Sequence, residues 1–319
     1  MVKITLPSIK IFNKKTGIIE PACIYLDRNL KNALDSLVYN VKDDWDFVII
    51  ITGDRSVRTG KSVLAMCICA YLADKLGTPY TLDNLYFSSR NMIDDVLKKP
   101  KYSVCHYDEG REGLATSKLM TPLQHDLLDY FAECGQLNHI FVIVLPDFFG
   151  LVEEISVARS EFLINVYRKE KKIMKDLYNT GEQIPLVEFE RGYFEFFNRY
   201  AKQDLYDKSR SLRKKNYNLV KANFIGRFTN YYPLPQSEYR EKKRKYLKRF
   251  KERRQELKIS KVDVFRDKEI MGMHSEGKDA VEIGNILKKE WAYEVTPQHI
   301  RRIIRKCINF PKKTGFERA

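Results

Sequence analysis

No stretch of the 319-residue chain reaches the roughly 18 uninterrupted apolar residues that a membrane-spanning helix needs. The start, MVKITLPSIKIFNKK, lacks the apolar segment and small-residue cleavage site of a secretory signal. The expectation is a cytoplasmic protein, or a host-cytoplasmic one if viral, without a membrane partner. Cysteine is sparse: Cys23, Cys67, Cys69, Cys105, Cys134 and Cys307 are scattered, with no CxxC pair and no histidine at zinc-ligand spacing. This excludes a zinc finger and leaves the thiols as small reduced core residues. Internal repeats at a period of 20 to 50 residues are also missing, which excludes a solenoid.

What is present is ample apolar material, 44% of residues with 12% aromatic, and a net charge of +15 that is unevenly spread. Residues 201 to 260 hold 19 Lys and Arg against 6 Asp and Glu; residues 261 to 319 hold 13 against 9. The first 200 residues carry 25 against 27 and are close to neutral. A neutral body followed by a basic third points to a polyanion bound by that third, or to a solvated basic helix that aids solubility.

Apolar runs alternate with helical patterns along the first 200 residues. Residues 29 to 41 read as an amphipathic helix, 46 to 51 (DFVIII) as a buried strand, and Lys61 to Lys75 as a helix apolar on nearly every face. Further strands are expected at Leu85 to Ser88, Tyr102 to Tyr107, His139 to Leu145 and Glu161 to Arg168. Helices are expected at 91 to 98 and Thr121 to Cys134. Leu186 to Glu190 and Tyr193 to Asn198 read as a hairpin turning at Arg191-Gly192. Continuous rather than alternating apolar runs argue for an α/β fold with a mostly parallel sheet.

The segment FVIIITGDRSVRTGKSVLAMC runs strand, loop, helix, with Gly60-Lys61-Ser62 at the helix entry. Backbone amides and the helix dipole favour a phosphate there, a lysine adds charge at the β- and γ-phosphates, and a serine hydroxyl suits Mg²⁺. The usual glycine five residues before Gly60 is replaced by Arg55, and Gly53 lies two residues further back. GDRSVRTGKS therefore reads as a P-loop lengthened by two, with Gly53, Arg58, Thr59, Gly60, Lys61 and Ser62 as the nucleotide-binding set. The strand YSVCHYDE ends in Asp108 and Glu109, 47 residues after Lys61 in the case of Asp108. With Ser62, Asp108 is the expected metal site; Glu109, with Lys61, is expected to act in catalysis by orienting or deprotonating the attacking water. ATP and Mg²⁺ are the cofactors this pattern calls for. His106, inside the strand, reads as a core residue.

These residues resemble the additional-strand, catalytic-glutamate P-loop ATPases, and within them the FtsK/HerA-like group that includes zonula-occludens-toxin-like phage ATPases. The resemblance spans residues 46 to 200 and rests on GDRSVRTGKS, YDEG, GQLNHIFVIVLPDFF and ISVARSEFLINVY. It implies a ring homo-oligomer and a polar sensor after the HIFVIVL strand, where this chain has Pro146-Asp147. It also places Arg159 where such enzymes direct an arginine at a phosphate, a plain salt bridge being the other reading of that residue.

In the basic stretch Ser237 to Lys258, Tyr239, Tyr246 and Phe250 recur at helical spacing, either to pack or stack against nucleic acid or to dock the helix on the body. Beyond it, Val264 to His274 reads as a helix. Asp279 with Glu282 forms a capping-box pattern before a second helix lined by Ile283, Ile286 and Leu287. Thr296-Pro297 opens a third, with Ile300, Ile303, Ile304 and Cys307 on one face. This is the pattern of a helix-turn-helix domain, with Gln298, Arg301, Arg302 and Arg305 left for DNA or, in a protein-docking module, for solvent.

The expected organisation is an N-terminal extension (1–45), a P-loop ATPase domain (46–205), a basic helical linker (206–260) and a helix-turn-helix domain (261–319). The expected function is an ATP-driven motor or remodelling ATPase of a virus or mobile element, of translocation or packaging type, acting on double-stranded DNA. A terminase-type or transposition-regulator ATPase, and a nucleotide-gated DNA-binding switch, are the alternatives.

Overall fold

The computed structural model describes residues 1–12, 17–53, 59–108, 134–175, 184–257, 261–291 and 295–309. The chain divides into two compact units, Met1–Lys243 and Arg244–Ala319.

The first unit is an α/β fold with a mostly parallel sheet. Its seven strands lie in the order β4 (Leu85–Tyr86), β5 (Val104–Asp108), β6 (Ile140–Val144), β3 (Phe47–Gly53), β7 (Ser160–Lys175), β8 (Ile184–Phe197), β9 (Phe224–Arg227). The first five are mutually parallel, and β8 and β9 add an antiparallel edge. The central strands are buried on both faces, which is why FVIII and IFVIV run without alternation. Helix α2 (Lys61–Leu76) follows β3 and is buried continuously from Val63 to Ala73. It is enclosed by the sheet, by helix α1 (Arg28–Lys42) and by the hairpin of β1 (Val2–Phe12) and β2 (Ile19–Leu26).

Helix α1 starts at Asp27, whose carboxylate accepts from the amides of Asn29 (2.9 Å) and Leu30 (3.4 Å). Its buried face, Leu30, Leu34, Leu37, Val38 and Val41, has the three-to-four-residue spacing of a helix packed on one side. Removal of each such side chain from water contributes roughly 1.5–3 kcal/mol. The hairpin and α1, expected as an extension, thus supply the cover that an all-apolar α2 requires.

Under the opposite face of the sheet, a second core gathers Phe141, Phe148, Ile155, Phe197, Leu205, Tyr206 and Tyr217 beneath α3 (Ser89–Val96) and α4 (Arg199–Ser211). A π-helical turn, Glu154–Arg159, leads into β7. Its carbonyl end is satisfied by the buried ammonium of Lys202, which donates to Val157 O (3.1 Å), Ser160 O and Ser160 Oγ (2.6 Å). Burial lowers that lysine's pKa to about 7.

Two sequence expectations change here. The hairpin turn at Arg191-Gly192 is absent: β8 runs unbroken through both residues and pairs with β7. Gly192, at φ +93°, sits where the β7–β8 register shifts, and a Cβ there would lie 2.5 Å from Phe228 O. A glycine at a bulge gives the same local signal as a glycine at a turn. The first unit also continues past residue 205: α4, β9 and the start of helix α5 (Gln236–Leu257) belong to it. The helix expected at Thr121 to Cys134 lies almost wholly outside the described residues.

In the second unit, α6 (Lys261–Ser275), α7 (Ala280–Trp291) and α8 (Pro297–Asn309) surround Ile270, Ile283, Leu287, Ile300, Ile303 and Ile304. The Asp279 carboxylate accepts from the amides of Val281 (2.7 Å) and Glu282 (2.9 Å), and Glu282 accepts from the Asp279 amide (3.0 Å), closing the capping box.

Candidate functional site

The site forms where the parallel strands end. Strand β3 terminates at Gly53, and α2 begins after Gly60, a left-handed residue at φ +103° whose carbonyl already accepts from Val63 and Leu64. The first amides of α2 therefore face the strand ends, as a helix N-terminus does in an anion site. Lys61 folds back over β3: a Cβ on Gly53 would lie 2.9 Å from the Lys61 ammonium nitrogen and 3.0 Å from Val166 O. Glycine at position 53 is what leaves room for that lysine. Thr59 is buried beside it, with a hydroxyl that has no hydrogen-bond partner among the described residues.

Asp108 ends β5 and is 1% exposed. Its Oδ1 accepts from Ser62 Oγ at 3.0 Å; its Oδ2 accepts from Tyr239 Oη at 2.8 Å and Lys243 Nζ at 3.1 Å. Burial, the largest influence, pushes the carboxyl upward, but Lys243 foremost and the Tyr239 hydrogen bond among others outweigh it. The pKa ends below the ordinary carboxylate value. Two hard oxygen donors, a hydroxyl and an ionised carboxylate, are thereby held together beside Lys61, a donor set that suits magnesium. Tyr239 is pushed well above its usual pKa, chiefly by burial and then by Asp108, and donates as a neutral phenol.

The cleft over these groups has a volume of about 940 Å³ and is lined by Thr59 to Val63, Asp108 and Val144 to Pro146, with Arg191, Asn230, Tyr232, Tyr239, Arg240 and Lys243 on the other wall. Among the described residues four cations, Lys61, Arg191, Arg240 and Lys243, line the cleft with one carboxylate, a balance that suits a polyphosphate. Behind the site, Tyr217 Oη donates to Thr52 Oγ1 (3.0 Å) at the end of β3 and accepts from the Phe148 amide (3.3 Å) after β6. His106 lies two residues before Asp108 on β5, with Nδ1 2.9 Å from Tyr80 Oη. Burial lowers its pKa to about 4, so the ring is neutral and part of the core.

The structure brings Gly53, Thr59, Gly60, Lys61, Ser62 and Asp108 to one place. Arg58 and Glu109 lie outside the described residues. Pro146 lines the cleft, while the Asp147 carboxylate accepts from the Phe149 amide (3.2 Å) in its own turn. Arg159 is not at the site. It pairs with Asp46 just before β3 begins, at the opposite end of the strands, because β7 enters parallel to β3 with Ser160 opposite Val48. Strand β3 sets the two ends roughly 20 Å apart at about 3.3 Å per residue. Sequence reading missed Arg191, Tyr217, Tyr232, Arg240 and Lys243. It named Tyr239 only as a ring on a basic helix, since no local pattern joins residues more than 100 positions apart.

On α8, Gln298, Arg301, Arg302 and Arg305 are exposed, opposite the buried Ile300, Ile303 and Ile304.

A mostly parallel sheet whose central strand enters a helix through Gly-Lys-Ser, with a carboxylate at the end of a strand one removed, is an α/β arrangement. One solved relative in shape is the N-terminal domain of zonular occludens toxin from Neisseria meningitidis, at 12% identity over 48% of this chain and 84% of that chain, TM-score 0.29. A second is the genome packaging NTPase B204 of Sulfolobus turreted icosahedral virus 2 in complex with AMPPCP, at 10% identity over 50% and 94%, TM-score 0.31. A third is EssC (ATPases 2 and 3) from Geobacillus thermodenitrificans, at 10% identity over 59% and 44%, TM-score 0.27. No family model matches the sequence, and no curated protein matches it.

Proposed function

We propose that the chain is a magnesium-dependent ATPase that works on duplex DNA as a motor or remodelling enzyme. The observation that carries the enzymatic half is the buried, ionised Asp108 joined to the Ser62 hydroxyl at the first turn of a glycine-entered helix. In this reading the phosphates lie over the start of α2, cradled by amides from Thr59 to Ser62 with Gly53 and Arg58 completing the loop. Lys61 neutralises the β- and γ-phosphates. Ser62 and Asp108 hold magnesium, which supplies positive charge to the phosphoryl oxygens during transfer. Glu109, next along the chain, orients the attacking water and takes its proton.

The DNA half rests on the second unit, where Gln298, Arg301, Arg302 and Arg305 form an exposed polar face on α8 behind an apolar one. With the basic run of α5 in the same chain, this suits a helix-turn-helix that contacts phosphates and base edges. Steady-state hydrolysis with and without duplex DNA tests the proposal. DNA is expected to stimulate turnover, with an affinity that falls steeply as salt rises. Replacing Arg301, Arg302 and Arg305 together by alanine should weaken DNA binding at least about tenfold with little loss of stability. Turnover indifferent to DNA, with unchanged binding by the triple variant, would leave a nucleotide-gated protein switch as the better description.

A further inference from the structure

The phosphate site as read from sequence ends with α2 and β5, yet the structure adds a third element, the first two turns of α5. Tyr239 is 5% exposed, rests against Phe87 and Tyr232, and reaches Asp108 Oδ2. One turn later Lys243 reaches the same oxygen, its ammonium 5.8 Å from the Phe87 ring and 6.0 Å from the Tyr239 ring. Lys242, beside it, donates to Leu82 O and pins the turn to the loop before β4. Arg240 lines the same cleft. A helix that only covered the body would bury its rings and leave its ammonium groups in water. Here a lysine is turned inward onto the carboxylate assigned to the metal.

That contact sets a conflict. The ammonium supplies Asp108 with the positive charge that magnesium would supply, and two cations on one carboxylate repel each other strongly in a buried site. A metal-bound triphosphate brings its own negative charge into the cleft within reach of a flexible four-carbon side chain. We propose that Lys243 is a phosphate-sensing residue: it pairs with Asp108 when no metal does, and transfers to the terminal phosphate when magnesium and a nucleoside triphosphate bind. The start of the basic helix then reports which nucleotide occupies the site. This rests on the phosphate-site reading above and adds a residue to it.

The test is equilibrium binding to the full-length chain, by calorimetry, of a non-hydrolysable ATP analogue and of ADP, each with magnesium. Wild type should prefer the triphosphate. Lys243→Gln should lose about ten- to a hundredfold in triphosphate affinity, the size of one hydrogen bond between charged groups, with diphosphate affinity changed less than about threefold. Lys243→Arg should keep most of the preference, and circular dichroism should show that both variants fold. Equal loss of both nucleotides, no change in either, or tighter binding of both would each overturn the proposal, the last by making Lys243 a mere plug. Wild type that binds neither nucleotide would sink the phosphate-site reading itself and this inference with it.

Discussion

Asp108 and Asp46 lie at opposite ends of the same parallel sheet, each against a cation, and they respond in opposite directions. Asp108 is the more deeply buried, yet its pKa is lowered; Asp46, paired with Arg159, has its pKa raised, with burial outweighing the arginine's attraction. The difference lies in where donors converge. At the carboxyl ends of the strands Lys243 foremost, with His106 and the Tyr239 hydrogen bond, outweighs burial, so a fully buried carboxylate stays ionised. At the amino ends the pair ties β3 to the π-helical turn before β7. In an open α/β sheet the first end binds ligands and the second holds strands together.

Lys61→Ala should cut hydrolysis by two or three orders of magnitude, a typical cost of removing one charge-stabilising group from a transition state, while thermal stability stays near wild type. Wild-type turnover in this variant would remove the phosphate site from the carboxyl end of the sheet. Arg159→Ala leaves a largely buried carboxylate without its charged partner and should cost about 1–3 kcal/mol of stability, seen as a lower melting temperature, with turnover per folded molecule unchanged. Lost turnover at full stability would return Arg159 to catalysis, acting on a site other than its own.

How much of this was legible in the sequence follows from the range of the signals. The glycine-lysine-serine helix start, the Asp-ended strand and the Asp279–Glu282 box are all local patterns, and each appears in the structure at its own position. Gly192 was legible as an irregularity, but a bulge and a turn ask for the same residue. The β1–β2 hairpin was not seen, because its strands pack on α2 rather than in the main sheet, and exposed residues interrupt their apolar pattern. Tyr217, Tyr239 and Lys243 could not be placed at the site, since they reach Thr52 and Asp108 across 165, 131 and 135 residues. Their types gave no hint either. A lysine in a basic run reads as solvated until a fold turns it inward.

On the proposed reading Asp108 binds magnesium and Asp46 does not. The most direct test is calorimetric titration of the full chain with a non-hydrolysable ATP analogue, with and without magnesium, in wild type, Asp108→Asn and Asp46→Asn. Magnesium should tighten nucleotide binding in wild type and in Asp46→Asn, and that gain should vanish in Asp108→Asn while metal-free binding persists. An Asp108→Asn protein that kept the full magnesium gain, or an Asp46→Asn protein that lost it, would rule out Asp108 as the metal ligand.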